Sequence, residues 1–394
     1  MPYYRRNLYV LSTTIFLAAV SWNQVIPFLP LFMKEMGVEH NLLGWVGWVF
    51  ALHAGASIFA MPFWGKLGDR YGRKPMAIRA GLCLAGIYFG MSVCQTPMQL
   101  VILRFLNGAL TGFIPMSMAL IATNTPQEHA TRSIATAQAA AAAGLIAGPA
   151  IGGFLAGIMG YRASMHVSGI AVLVSVLLVW RLVQEPNRDA LAEPTSLLQD
   201  FAISLRSRVL SSVMLTVMAY RIFVAGITPI LALYLSDMNG SAPVWLTGIV
   251  FSLPAVALLL TVHLWTRLGE RWGYHRGIFV GLVGAGICAV ALTFAHDIWI
   301  FSALFFATGI FFASVNPSTG AMICTQVDEG FRGRAYGMQQ SAAMMGSLIA
   351  PLAATRIGAV FGLSSVFAFV GAAALVCSAV FLLLMNRPSS QTGR

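Results

Sequence analysis

Three ionisable side chains lie inside long apolar stretches of this chain: His53, Arg104 and Arg221. An isolated Arg in hydrocarbon costs from ~3 to above 10 kcal/mol, so each must face protein or water unless it can reach the interface. Arg104 lies toward one end of its stretch and can snorkel outward. Arg221 falls near the middle, where snorkelling is difficult, which favours a cavity-facing role. His53 is the only embedded side chain whose unperturbed pKa lies near physiological pH, so it is either a proton carrier or a hydrogen-bonded core residue. Of the 13 acids, none lies in the middle of an apolar stretch. Around the embedded cations runs a set of uncharged polar residues: Asn23, Gln24, Asn107, Gln138, Asn316, Gln339 and Gln340. Each can line a polar pocket or hydrogen-bond a neighbouring helix. With Trp22, 25 Phe and 19 Met they suit an adaptable amphipathic pocket, although the same composition is ordinary in lipid-facing helices.

The elements that position these residues follow from composition. The 394 residues are 58% hydrophobic and only 9% charged, against about 25% charged in a soluble globular chain. A soluble enzyme or nucleic-acid binder is excluded by that deficit of polar surface. A membrane span needs about 20 mostly apolar residues, and the hydropathy predicts twelve, near 8–33, 42–64, 76–95, 98–122, 132–157, 162–182, 209–235, 244–265, 277–296, 299–324, 335–358 and 363–385. The apolar run after Arg5 and Arg6 continues through Pro27 to Met33, so it reads as a retained first helix rather than a signal peptide. With the N-terminus inside, nineteen Lys and Arg fall on the cytoplasmic side and only Lys34, Arg162 and Arg356 outside. The net charge of +11 is therefore read as topology, with both termini cytoplasmic. Cys83, Cys94, Cys288, Cys324 and Cys377 have no metal spacing and read as small hydrophobes. No cofactor or metal is expected, and there is no Walker loop for ATP.

The longest polar stretch, Gln184 to Ser207, falls between spans six and seven. It predicts a six-helix N-terminal bundle over 1–183, a cytoplasmic linker over 184–208 and a six-helix C-terminal bundle over 209–394. The halves repeat: Trp64-Gly65-Lys66-Leu67-Gly68-Asp69-Arg70-Tyr71-Gly72 lies over Trp265-Thr266-Arg267-Leu268-Gly269-Glu270-Arg271-Trp272-Gly273 at an offset of 201. At an offset of 202, Pro27 to Met36 lies over Pro229 to Met238, and Arg132, Gln138, Gly144 and Pro149 lie over Arg334, Gln340, Gly346 and Pro351. Parallel six-helix repeats with a binding site near the midplane are a transporter architecture. The fold class expected is an all-α membrane protein of twelve transmembrane helices in two pseudo-repeated bundles.

Three motifs stand on this frame. In the loop Gly65-Lys66-Leu67-Gly68-Asp69-Arg70-Tyr71-Gly72-Arg73-Lys74-Pro75, a single acid sits among four cations. Asp69 can lie against a helix N-terminus, where the macrodipole favours an anion by about 0.3–1 kcal/mol. In the fourth span, Arg104 is followed four residues later by Gly108, which leaves room beside it. The fifth span contains Gly144-Leu145-Ile146-Ala147-Gly148-Pro149-Ala150-Ile151-Gly152-Gly153. Its G-x-x-x-G spacing allows close helix packing, and Pro149 removes a backbone donor.

Together these motifs resemble those of the major facilitator superfamily, over the whole chain. The resemblance implies a conformational latch at Asp69, with Gly65, Arg70, Gly72 and Arg73 as its motif partners and Glu270 and Arg271 as a weaker second copy. The fifth-span string Gly144, Gly148, Pro149, Gly152 and Gly153 is similar to that of the drug:proton antiporter branch. The implied function is a multi-pass inner-membrane transporter that exports amphipathic small molecules in exchange for protons, a monomer in the bilayer with no nucleic-acid partner. Many proton-coupled drug exporters carry an embedded carboxylate, and this chain departs from them. His53 and Asp69 are left as proton-coupling candidates. Arg104 and Arg221 favour an alternative in which the substrate is an organic anion. A non-transporting receptor or scaffold on the same fold is the third reading.

Overall fold

Without water in the hydrocarbon, a spanning backbone must satisfy its own amides, and helices do so within one segment. The computed structural model describes residues 2–186, 207–238 and 243–386, and among them every regular element is helical. Most of the linker expected over 184–208 lies outside the described residues. The membrane helices are α1 (Tyr3–Glu35), α2 (Leu42–Tyr71), α3 (Arg73–Ser92) and α4 (Pro97–Asn124). The next helical stretch, Gln127–Leu182, turns at Gly160 (φ 81°, ψ 165°), which divides it into α5 and α6. Only glycine adopts that backbone freely. Then follow α7 (Arg208–Met238), α8 (Val244–Trp272), α9 (Tyr274–Leu292), α10 (Ile298–Gln326), α11 (Glu329–Phe361) and α12 (Ser365–Asn386). With the turn at Gly160 this is the expected set of twelve.

Local chemistry sets several ends. Thr96 and Gln99 form a reciprocal capping box at the start of α4. Asp297 accepts from the Trp299 and Ile300 amides at the start of α10, at 2.8 and 3.1 Å. Contacts divide the chain into two compact units, Met1–Glu193 with Thr228–Ala255, and Pro194–Ile227 with Val256–Arg394.

Both α4 and α10 are broken midway. At Thr111 and Gly112 (φ 134°) α4 loses helical geometry and restarts at Phe113. The freed Ala109 carbonyl accepts from the Trp64 indole at 2.7 Å, and the Leu110 carbonyl from Arg79 at 2.7 Å. The Arg79 guanidinium stacks 3.4 Å above the Trp64 ring. In the second unit α10 breaks between Phe312 and Val315, and the Ile310 carbonyl accepts from the Trp265 indole at 2.6 Å. Trp64 and Trp265 are equivalent positions of the sequence repeat, and each reaches 45 residues on to the same kind of break. Replacing either with Phe keeps the ring and strands a buried carbonyl. Trp64→Phe and Trp265→Phe should each cost about 1–3 kcal/mol, read as a lowered melting temperature of the purified protein in detergent.

Candidate functional site

Two apolar cores fill the first unit. One gathers Leu11, Ile15, Ala80, Phe113, Leu120 and Val179. The other gathers Leu29, Phe32, Val49, Leu84, Met91 and Leu100. In sequence along α1, α2 and α4, Trp22, His53, Arg104 and Asn107 fall between members of the two cores, and Trp22 packs against the second.

Arg104 does not snorkel. It is 2% exposed, its guanidinium carbon lies 5.3 Å from the Trp22 ring centre and 5.8 Å from that of Phe50, and its Nε has no hydrogen-bond partner. One turn on, Asn107 is fully buried with neither amide atom partnered. His53 packs on Trp22 with ring centres 4.9 Å apart, hydrogen-bonds the Arg104 main chain and leaves Nδ1 free. Tyr88 of α3 lies within electrostatic reach of Arg104, 1% exposed, with an unpartnered hydroxyl. Gly108 makes this convergence possible: a side chain there would meet the His53 carbonyl at 2.2 Å. Burying an unpaired ion costs several kcal/mol, and a cation–π contact returns about 0.5–2 kcal/mol. The fold therefore holds this cluster in an electrostatically unsatisfied state.

The fifth-span motif fixes the neighbouring helix. Along α5, Gly144 faces Ala19 and the Phe16 carbonyl, Gly148 faces Asn23, and Gly152 faces the Gln24 backbone. A Cβ at these positions would fall 2.5, 2.5 and 2.3 Å from α1 atoms. Gly153 faces the start of α8, 2.7 Å from the Val244 carbonyl, and Gly248 of α8 faces the Pro149 carbonyl at 2.3 Å. In the same unit Lys34 approaches Asp237 at 3.8 Å, both largely exposed.

At the basic end, where α2 meets α3, Asp69 does not hold the helix N-terminus. It pairs with Arg73 at 2.9 Å, and Arg73 also donates to the Ala119 carbonyl at 3.0 Å. The anion at the start of α3 is Glu185, whose two oxygens accept from the Arg73 and Lys74 amides at 2.7 and 3.0 Å. Gly72, at φ 101°, lets the chain turn there, and any Cβ on it would press on Glu185 at 3.0 Å. Lys74 answers from the other side by donating to the Trp180 and Val183 carbonyls at the end of α6, at 2.9 and 2.7 Å. Asn7 of α1 exchanges two bonds with the Gln184 backbone. Glu185, read from sequence as a linker acid, is thus a structural part of the loop motif. Its signal was Glu-Pro placed directly after an apolar span.

The remaining candidates separate. Asn23 donates to its own helix at Ala19, and Gln24 is spent on Ser164 and Ser168 of α6. Gln138 is exposed on α5, as are Arg70 and Gly65's neighbour Lys66 on α2. Arg221 is half-buried on α7, its Cβ 3.1 Å from where a Gly346 side chain would stand. Gln339 donates to Thr319 at 3.2 Å, while Asn316 and Gln340 are exposed. Glu270 and Arg271 are exposed on α8. Among the described residues no group of His, Cys, Asp and Glu side chains gathers as metal ligands do.

Gly152 and Gly157 share α5 but not an environment: nothing lies within 4 Å of a Cβ at Gly157. Gly152→Ala should destabilise by about 1–3 kcal/mol through overpacking. Gly157→Ala should stabilise by about 0.5–1 kcal/mol through helix propensity. Opposite shifts in melting temperature check the contact.

Comparison with known proteins places this geometry. The sequence profile of the Major Facilitator Superfamily matches residues 11–262 and 209–394. The chain is 30% identical over 378 residues to the multidrug resistance protein MdtG of Proteus mirabilis (strain HI4320), covering 94% of this chain and 93% of that one. Its likeness to the protein of the same name in Salmonella paratyphi C (strain RKS4594) is 30% over 369 residues, 92% and 91% of the two chains. Among solved structures, the nucleoside transporter NupG superposes with a TM-score of 0.82 at 14% identity, over 97% of this chain and all of that one. The human organic anion transporter MFSD10 superposes at 0.69 and 15% identity, over 98% and 100%. These last two likenesses are of fold alone. Twelve helices, repeated halves and whole-length relatives agree: this chain is a multi-pass membrane transporter, not an enzyme, and it belongs to the major facilitator superfamily.

Proposed function

We propose that this protein exports amphipathic small molecules, drugs among them, across the inner membrane by proton antiport and alternating access. The observation that carries the reading is the whole-length similarity to multidrug resistance proteins. The close glycine contacts of α5 with α1 and α8, in a motif similar to that of antiporters, support it. The protein works as a monomer, and its distribution of Lys and Arg favours both termini in the cytoplasm. Accumulation of labelled compounds in everted vesicles, driven by an imposed proton gradient, is the expected result. A protein that moves no compound in purified liposomes would instead be a receptor or scaffold.

Two residues carry the coupling and the switch. His53 takes up the proton, because its unpartnered Nδ1 sits in the polar interval beside Arg104. Under this assignment His53→Gln keeps polarity but removes the pH dependence of export. Substrate-driven proton movement in His53→Gln liposomes at the wild-type level, followed with a pH-sensitive dye, would sink the role. Asp69 acts as the conformational latch through the loop it shares with Arg73. Asp69→Asn should keep the fold and lower the outward-open population by a measurable fraction. Spin-label distances between the six-helix halves report it, and unchanged populations in the variant refute the latch.

A further inference from the structure

We infer that Arg104, Asn107 and Tyr88 form a subsite for an acidic group, so that the compounds this exporter takes best are organic anions. The inference rests on the export reading above and names the substrate class for it. The cluster offers a buried positive charge and a surplus of donors. Arg104 Nε–H, the two N–H of the Asn107 amide and the Tyr88 O–H are unpartnered, four donor hydrogens against three free acceptor atoms, Asn107 Oδ1, His53 Nδ1 and the Tyr88 oxygen. Every described acid of this unit stands at a helix end or in a loop: Glu35, Glu39, Asp69, Glu128, Asp237 and Glu185. Among the described residues none is an ion-pair partner of the guanidinium, which lies over the faces of Trp22 and Phe50. A carboxylate, phosphate or sulfonate oxygen matches both the charge and the donors. A quaternary ammonium meets like charge there.

The second half separates what the fold needs from what a ligand needs. The shared Trp-to-carbonyl bonds align α4 with α10 at an offset of 201. At that offset Arg104 corresponds to Phe305, Asn107 to Thr308, Tyr88 to Ala289 and His53 to Pro254. Phe305 is buried against Phe301, and the Thr308 hydroxyl is satisfied by the Phe305 carbonyl at 2.6 Å. A helix broken in the same place is thus built with an apolar, satisfied interior. Nothing in the helical frame demands a guanidinium at position 104. Trp22, half-buried beneath Arg104 and tilted against His53, adds an aromatic face for the hydrophobic body of the same compound.

The test uses the purified full-length protein and one naphthalene scaffold carrying a carboxylate, a carboxamide or a trimethylammonium group. Binding is measured by calorimetry with and without chloride. The carboxylate should bind about 10- to 100-fold tighter than the carboxamide, the range a charge-assisted hydrogen bond supports. Arg104→Gln should erase that preference. Asn107→Asp places a carboxylate one turn from the guanidinium, so it should erase the preference too while leaving the melting temperature unchanged or raised. Should Arg104→Gln fail to fold, Asn107→Asp decides alone. A preference that survives in either folded variant overturns the inference. So does a wild type that favours trimethylammonium, or one that binds chloride but shows no carboxylate preference. The same compounds in everted vesicles keep the two readings apart. Export of the trimethylammonium compound alone removes the acidic subsite and leaves export standing. Carboxylate-selective binding with no export of any compound removes the export reading instead.

Discussion

Hydrocarbon offers no water to an exposed amide, and that constraint decides where this chain can break a helix. The break in α4 at Thr111 and Gly112 frees the Ala109 and Leu110 carbonyls, and only side chains from other helices can reach them. Trp64 and Arg79 do so, each at 2.7 Å. The break therefore ties α2 and α3 to α4 at one level of the bundle. It also sets the register of everything on α4 just before it, including Asn107 and Arg104. The hydroxyl of Thr111 bonds back to the Asn107 carbonyl, so the last turn before the break is closed from within. The polar interval between the two apolar cores is held in place by this repair.

The glycines of α5 act on the same interval from the other side. Helix α1 carries Trp22 toward Arg104, and along the same helix it meets Gly144, Gly148 and Gly152 with no room for a Cβ. Backbones that approach this closely gain dispersion contact and give up side-chain packing, the pattern expected where lipid removes the hydrophobic drive between helices. The consequence is positional. Any movement of α5 against α1 moves the backbone that bears Trp22 and, through it, the cover over the guanidinium. Gly153 and Pro149 extend the same helix to the start of α8, so one small-residue surface meets both helices.

The helices and the repeat were legible in the sequence because both are local or periodic: a run of apolar residues, a motif recurring at a fixed offset. The embedded polar residues were legible as individuals, but their partners were not. Gln24 and Asn107 look alike in a list of amides, yet one bonds Ser164 across the bundle while the other has no partner. Spacing along one helix cannot tell those two apart, because the distinction depends on which residue of a different helix stands opposite. Tyr88 went unread for the same reason, being one aromatic among many. Glu185 lies 112 residues from the amide it caps, and its neighbours in sequence are those of a polar linker. Only the return of α6 to the start of α3 gives it that role.

That return also makes the two halves unequal at their basic ends. In the first unit the start of α3 is held by an acid from beyond α6, a lysine bonded to the carbonyls of α6 and an ion pair to α2. In the second unit α9 starts at Tyr274 after Gly273, at φ 89°, and among the described residues no acid accepts from its first amides. The repeat thus preserves the glycine turn, at Gly72 and at Gly273, without an acid cap on the second helix among the described residues. Among the described residues, the loop of the first half is fastened by Glu185, Lys74 and Arg73, and the matching loop of the second half shows no acid on its first helical amides.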